Sequence, residues 1–359
     1  MNADKENQGL IGVHRRSSAT ISNRIGRLLL AWYRKAYRDL PWRRTCDPYR
    51  IWVSEIMLQQ TRAAAAIPYY QRFLERYPSV EALAAAGEAD VLAIWSGLGY
   101  YSRARNLLRA ARQVAAAGHF PEEIEALKAL PGIGDYTAAA IASIAFGRPH
   151  AVVDGNVLRV VARVRNEPAD IGAAATRRRF GEIAQAWLAR RDPGGFNQAL
   201  MELGATVCRP RNPLCTACPI SAACQANQAG TAAQLPVKLR RVEPVEVREA
   251  RLLVERSGRV LLRRRELSLG RLAGFWDLPS PDQLPAARLG VPLGEFRHSI
   301  AHHRYRIAVA RAQAKKPPAG YGIFAWMDPG QLERVPLSTT ARKALKLAAK
   351  ARTATCPRA

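Results

Sequence analysis

"IEALKALPGIGDYTAAAIASIAF", Ile124 to Phe146, is the stretch whose reading decides the fold. Pro121 suits a helix start, and the residues up to Leu130 repeat with helical period. Pro131-Gly132-Ile133-Gly134 breaks that helix, and a second one follows with an apolar face through Ala138, Ile141 and Ala145. Two glycines at i and i+2 allow a tight turn and leave backbone N–H groups open at the start of the second helix, where an anion is stabilised. Helices joined in this way hold a phosphate backbone without reading bases. A lone G-x-G serves many helical turns; L-P-G-I-G with a helix on each side is far more specific.

The charge agrees. Lys and Arg number 55 against 29 Asp and Glu, a net +26, which makes nucleic acid or acidic lipid the natural partner. Genomic base composition could explain Arg over Lys, but not the shortage of acids. With 48% apolar residues in 359, the chain can bury the cores of two or three domains. "MNADKENQGLIGVHRRSSAT" has no apolar segment of a secretory signal, and no run approaches the roughly 20 apolar residues of a membrane span. The expectation is a soluble cytoplasmic monomer with no membrane partner, associated with the nucleoid when on DNA.

Residues 1–22 read as a flexible tail, Ile25 to about Ala226 as mostly helical, and 227–247 as a linker of little periodicity. The texture then changes. "ARLLVERSGRVLLRRRE" is a hairpin signal around Ser257-Gly258, "RYRIAVARAQA" alternates like a strand, "YGIFAWMDP" is another strand candidate and "TTARKALKLAAKA" a closing helix. This is a second domain of α+β type, over 248–347, before a basic tail at 348–359.

"CRPRNPLCTACPISAAC", Cys208 to Cys224, holds four of the six cysteines at spacing C-x6-C-x2-C-x5-C. In a reducing compartment disulfides are disfavoured. A zinc site usually shows two C-x2-C pairs, and here there is one; a four-thiolate iron–sulfur cluster needs four converging sulfurs, which a compact loop can supply. Spacing leaves both open. Cys46 and Cys356 stand apart as plain thiols. Fixing Cys208 and Cys215 would push Arg209 and Arg211 outward, able to grip phosphates or simply to lie solvated.

Two carboxylates complete the reading. Asp154 in "VVDGNVLRVVARV" precedes a helix with Val157, Val160, Val161 and Val164 on one face. It can be an N-cap and nothing more, or a carboxylate held at a helix start beside the hairpin. In "DPYRIWVSEIMLQQT", Asp47-Pro48 is an N-cap pair, and Tyr49, Trp52, Val53, Ile56 and Met57 form one apolar stripe. Glu55 sits at its edge, either snorkelling outward or partly buried with a raised pKa. A protonated acid beside a carboxylate anion is what cleavage of an N-glycosidic bond requires.

These motifs, with "LPWR" (40–43), "GLGYYSRARNL" (97–107) and "FNQALMELGATVC" (196–208), resemble the adenine DNA glycosylase (MutY) family of helix-hairpin-helix glycosylases, closely over Leu29 to Ala226 and more loosely beyond. The resemblance implies a mainly α, two-lobed fold, followed by an α+β Nudix-like domain that recognises 8-oxoguanine. Its six-helix barrel lobe covers 47–155 and its iron–sulfur lobe 23–46 with 156–226. It implies a [4Fe–4S] cluster on Cys208, Cys215, Cys218 and Cys224, with Glu55 as the acid at adenine N7 and Asp154 stabilising the oxocarbenium. It puts Tyr136 and Asn156 at the sugar, Arg43 on the extruded adenine, and Leu58, Gln60 and Tyr100 at the duplex. Gly132, Gly134, Arg209 and Arg211 would lie along the DNA. The implied partner is double-stranded DNA carrying adenine opposite 8-oxoguanine or guanine.

Two departures matter. The related endonuclease III type forms a Schiff base through a hairpin lysine; "PGIGDYTA" carries Tyr136 there, so a monofunctional enzyme is expected. "GRLAGFWDLPS" (270–280) matches the Nudix-like domain, yet "PDQLPAARLG" replaces the acid-rich metal box, so recognition and not hydrolysis is expected of it. The family's Phe-Ser-His loop is matched here by Ile300-Ala301-His302, where only the His is kept, leaving Ser299, His298 or His303 to help. The competing readings are a bifunctional endonuclease III-like enzyme and a non-catalytic redox sensor, which would have no need of Glu55 and Asp154.

Overall fold

The computed structural model describes residues 22–239, 243–266, 272–300, 302–314 and 323–354. The tail expected before them, linker residues 240–242, Ala301 and the end of the basic tail lie outside the described residues. The elements in chain order are helix α1 (22–36), α2 (Pro48–Leu58), α3 (Ala63–Arg76), α4 (Val80–Ala84), α5 (Glu88–Trp95), α6 (Ser102–Ala117), α7 (Ile124–Lys128), α8 (Asp135–Phe146), α9 (Gly155–Val164), α10 (Ala174–Trp187), α11 (Pro193–Thr206) and α12 (Gln225–Gln228). Then come β1 (Val245–Arg256), β2 (Arg259–Arg264), β3 (Trp276–Asp277), β4 (Arg288–Ile300), β5 (His303–Gln313), β6 (Ile323–Met327), α13 (Pro329–Arg334) and α14 (Thr339–Ala354). The chain is mainly helical up to α12 and α+β after it, as the periodicities predict. No described helix is long and apolar enough to cross a membrane.

The fold divides into two compact units: the chain up to Gln60 with Gln113–Arg241, and Thr61–Arg112 with Val242–Ala359. In the first, α2 packs on α8, while α8 and α9 both pack on α11. Its core holds the predicted valines of α9 together with Phe180, Phe196, Leu200 and Leu203. Asp47 caps α2 by accepting from the amides of Tyr49 and Arg50, with Pro48 in the first turn.

Three sequence expectations change. The α2 stripe is not a stripe: Ile51 to Met57 are all buried, because this helix lies inside the unit, where every face needs a neighbour. Helix α7 starts at Ile124 and not at Pro121; Glu123 is extended, and the carboxylates of Glu122 and Glu123 turn to Arg148 at 2.9 and 3.1 Å. The segment read as a linker begins attached: Ala232 and Leu235 are buried, Leu235 O accepts from Arg163 Nε, and Val237 O accepts from the amide of Ile171.

In the second unit, β1 and β2 form the predicted antiparallel hairpin, with Ser257 and Gly258 both at positive φ, 49° and 74°. The strand order is β3-β2-β1-β5-β4, with β6 on β2. β1 and β5 run parallel from Val245 opposite His303 to Val254 opposite Ala312. Helix α14 closes one face through Ala341, Ala344 and Ala348, all fully buried, and runs on to Ala354.

Candidate active site

Helices α2, α8, α9 and α11 bring the predicted chemistry to one buried place in the first unit. Glu55 comes from the third turn of α2 and is only 4% exposed. Tyr136, in the first turn of α8, donates its hydroxyl to Glu55 Oε2 at 2.7 Å and lies 3.3 Å from Met201 Sδ of α11. Burial pushes the Glu55 carboxyl up to about 7; the Tyr136 hydrogen bond and Arg43 oppose the rise, and the nearby Asp154 adds to it. At neutral pH this side chain therefore keeps a substantial protonated fraction. Tyr136 is itself raised well above the usual phenol range by burial and by both carboxylates.

Asp154 is the N-cap of α9, as expected for an Asp at a helix start, and more than a cap. Its Oδ1 accepts the Val157 amide at 2.7 Å, and its Oδ2 accepts Asn156 Nδ2 at 2.8 Å. Burial raises its pKa while these bonds hold it down. Both oxygens are thus aimed by donors that favour the anion, and its charge acts on Glu55 and Tyr136 alike.

The hairpin separates its two glycines. Gly132 has φ 82°, so it needs glycine. Gly134 has φ −97°, which any residue adopts, and a Cβ there would meet nothing within 4 Å. Its value is open space in front of the α8 N-terminus. Gln60 and Tyr100 both sit at positive φ, 59° and 48°, unusual for residue types other than Gly, Asn and Asp. Leu58 ends α2, half-buried.

Arg43 is already engaged. It donates to Glu202 Oε2 at 2.7 Å and to Arg38 O at 3.0 Å, and stacks over the Tyr33 ring at 5.3 Å. Glu202, fully buried on α11, also takes two bonds at 2.7 Å from Arg38. Burial alone would raise its carboxyl, but the two arginines outweigh that and hold it at about 2.

The four cysteines line one small cavity with Arg163. Burial pushes the Cys218 thiol up to about 11, and Cys208, Cys224 and Cys215 are close enough to add to the shift. Among the described residues no group of three or more His, Cys, Asp and Glu is arranged to hold a metal ion. Arg211 is exposed as predicted; Arg209 is not, being half-buried and folded back to donate to Asn212 O at 3.0 Å. In the second unit His302 is exposed in the β4–β5 turn, its ring 4.1 Å from that of His303.

Residues 53–186 match the family described as HhH-GPD superfamily base excision DNA repair protein. The mouse adenine DNA glycosylase is 38% identical over 380 residues, covering 84% of this chain and 73% of its own length. The chain belongs to the adenine DNA glycosylase family. The human adenine DNA glycosylase is 39% identical over 317 residues, 73% of this chain and 58% of its own. A solved thermostable thymine-DNA glycosylase superposes with TM-score 0.52 at 29% identity, over 58% of this chain and 98% of that one. The adenine DNA glycosylase family are enzymes of base excision repair, and residues 53–186, within the helical part, carry the base excision repair match.

Sequence reading missed several residues in this adenine DNA glycosylase family member. Glu202, Arg38 and Tyr33 form the network behind Arg43; an acid inside apolar "ALMELG" was the available signal. Arg159 and Arg163 look like a solvated face of α9, yet both are buried. Arg159 donates to Asn156 Oδ1 at 2.8 Å and to Cys208 O at 2.8 Å, and Arg163 donates to Cys208 Sγ at 3.3 Å and Arg209 O at 2.7 Å. Gly204 was missed too: a Cβ there would lie 2.6 Å from Asn156 Cβ, so its glycine lets α11 approach the residue that orients Asp154.

Proposed function

We propose that this chain removes adenine mispaired with 8-oxoguanine or guanine in duplex DNA and leaves the strand uncut. The observation that carries this is the pairing of Glu55, raised to about 7, with an Asp154 whose two oxygens are held by amide donors. The base must leave the stack before either group can reach it. Protonated Glu55 then gives its proton to N7 of the departing adenine, and the Asp154 anion stabilises the cationic sugar as the C1′–N9 bond breaks. Water forms the new C1′–O bond and gives its proton to the Glu55 carboxylate, which restores the acid. Tyr136 holds Glu55 in place, and it stands in "PGIGDYTA" where the endonuclease III type carries its Schiff-base lysine.

The cysteines fit a [4Fe–4S] cluster. Four thiols converge on one cavity, which is the donor set that a four-thiolate cluster takes. Cys208, Cys215, Cys218 and Cys224 would hold it, and it would cross-link the loop that carries Arg211. Hydrolysis draws no electrons from it. Recognition of 8-oxoguanine falls to the C-terminal domain, through His302, Ser299 and His298. Residues 23–46 with 156–226 are read as the cluster lobe and 47–155 as the barrel lobe.

The deciding experiment is a single-turnover incubation of duplexes with adenine opposite 8-oxoguanine, guanine and thymine, followed by alkali. Abasic sites are expected for the first two and not the third. Strand breaks without alkali, or a borohydride-trapped protein–DNA adduct, would favour the endonuclease III-like reading. Iron and acid-labile sulfide in equal amounts, about four each per chain, check the cluster.

A further inference from the structure

The loop that carries Tyr100 is held at both ends by the C-terminal domain, within the same compact unit. Ser96 and Tyr101 bracket it, and both are buried, while Tyr100 between them is 47% exposed. Ser96 Oγ donates to Leu337 O at 2.6 Å and accepts from Arg342 Nε at 2.9 Å. The Tyr101 ring stacks on Phe275 with centroids 4.0 Å apart, and its hydroxyl lies 3.3 Å from Thr339 Oγ1. These anchors form one piece: the Trp276 amide donates to Pro336 O at 2.9 Å and the Ser338 amide to Trp276 O at 3.0 Å.

What they hold is a backbone that would not hold itself. Gly97, Gly99 and Tyr100 stand at φ 109°, 71° and 48°. A left-handed tyrosine costs roughly 1–2 kcal/mol and persists only when its surroundings over-determine it. From the helical side Arg103 and Trp95 both donate to Gly99 O, at 3.1 and 3.3 Å, and the Arg103 guanidinium lies 5.4 Å from the Tyr100 ring centroid. The loop and the end of β4 line a common cavity of about 470 Å³, which His298, Ser299 and Ile300 also face.

The geometry points to Phe275 and Arg342 as positioning residues for Tyr100: the C-terminal domain sets the conformation in which that ring is presented to DNA. This rests on the contact of Tyr100 with the duplex that the family resemblance implies. Neither residue touches the substrate; both act through Tyr101 and Ser96.

The test uses the full-length holoenzyme and a duplex with 2-aminopurine beside the base opposite adenine, whose fluorescence reports insertion. Arg342→Met and Phe275→Leu should each reduce the insertion signal and the single-turnover rate by about tenfold, with little further loss in a Tyr100→Ala background. Arg342→Lys should recover part of both. Arg342 is only half-buried, so its variant carries the test should Phe275→Leu fail to fold. If Tyr100→Ala itself leaves signal and rate intact, the DNA contact of Tyr100 is wrong. If Tyr100→Ala loses both while Arg342→Met keeps them, or adds its full effect to Tyr100→Ala, the positioning role is overturned.

Discussion

The buried site of the first unit and the β4–β5 hairpin of the second solve opposite problems. Around Glu55 and Asp154 the polar groups are tied to one another: Glu55 is only 4% exposed, and Tyr136, Asp154 and Asn156 are half-buried. Along β4 the residues are exposed or half-buried, and His302 projects from the turn with another imidazole as its neighbour. A site that moves a proton needs fixed donors and a dry carboxyl. A surface that reads a base keeps its groups open until the base arrives. Chemistry therefore leaves a strict sequence pattern, whereas the loop proposed for recognition carries Ile300 where the resemblance implies Phe.

The strongest way to break this contrast is at the buried pair. Glu55→Gln and Asp154→Asn should each lower single-turnover adenine release by about 10²–10⁴-fold while mismatched DNA is still bound. Comparable effects from Ser299→Ala or His302→Ala would erase the distinction.

The pH dependence sharpens it. Glu55 ionises near 7 in the folded chain, so the rate should fall as pH rises past about 7. Its folded pKa lies above the unfolded value, so the wild type loses stability as pH rises from about 4.5 to 7. Above that window Glu55→Gln should be more stable than wild type, by up to about 3 kcal/mol in denaturant titrations, and at pH 4 nearly equal to it. A tighter fold in the wild type at pH 8 would contradict the burial argument.

On the recognition side, Ser299→Ala and His302→Ala should change the ratio of rates on 8-oxoguanine and guanine mismatches by up to about tenfold, leaving the guanine rate near wild type. The hairpin glycines give the smallest stability effects and the cleanest split. Gly132→Ala should cost about 1 kcal/mol in thermal melts, because its φ is 82°. Gly134→Ala should cost almost none and instead weaken binding to any duplex, since its methyl occupies the space before α8.

Local order was legible without coordinates. Helix caps at Asp47 and Asp154, the Ser257-Gly258 turn and the alternation of β5 depend on neighbours within a few residues, so their signals are written contiguously. So were the candidate catalytic groups, because each motif places one side chain on one helix turn. What amphipathic periodicity misjudged was α2, where burial on every face makes a stripe invisible; in α9 it picked out the valine face but not the burial of Arg159 and Arg163. Only the packed chain decides that those arginines cap the cysteine loop, that Glu202 answers Arg43 from 159 residues away, and that the loop carrying Tyr100 is held by Phe275, Leu337 and Arg342. Spacing records which residues share a helix face. Which faces meet is set by burying the whole core at once, and the pKa of Glu55 follows from that meeting.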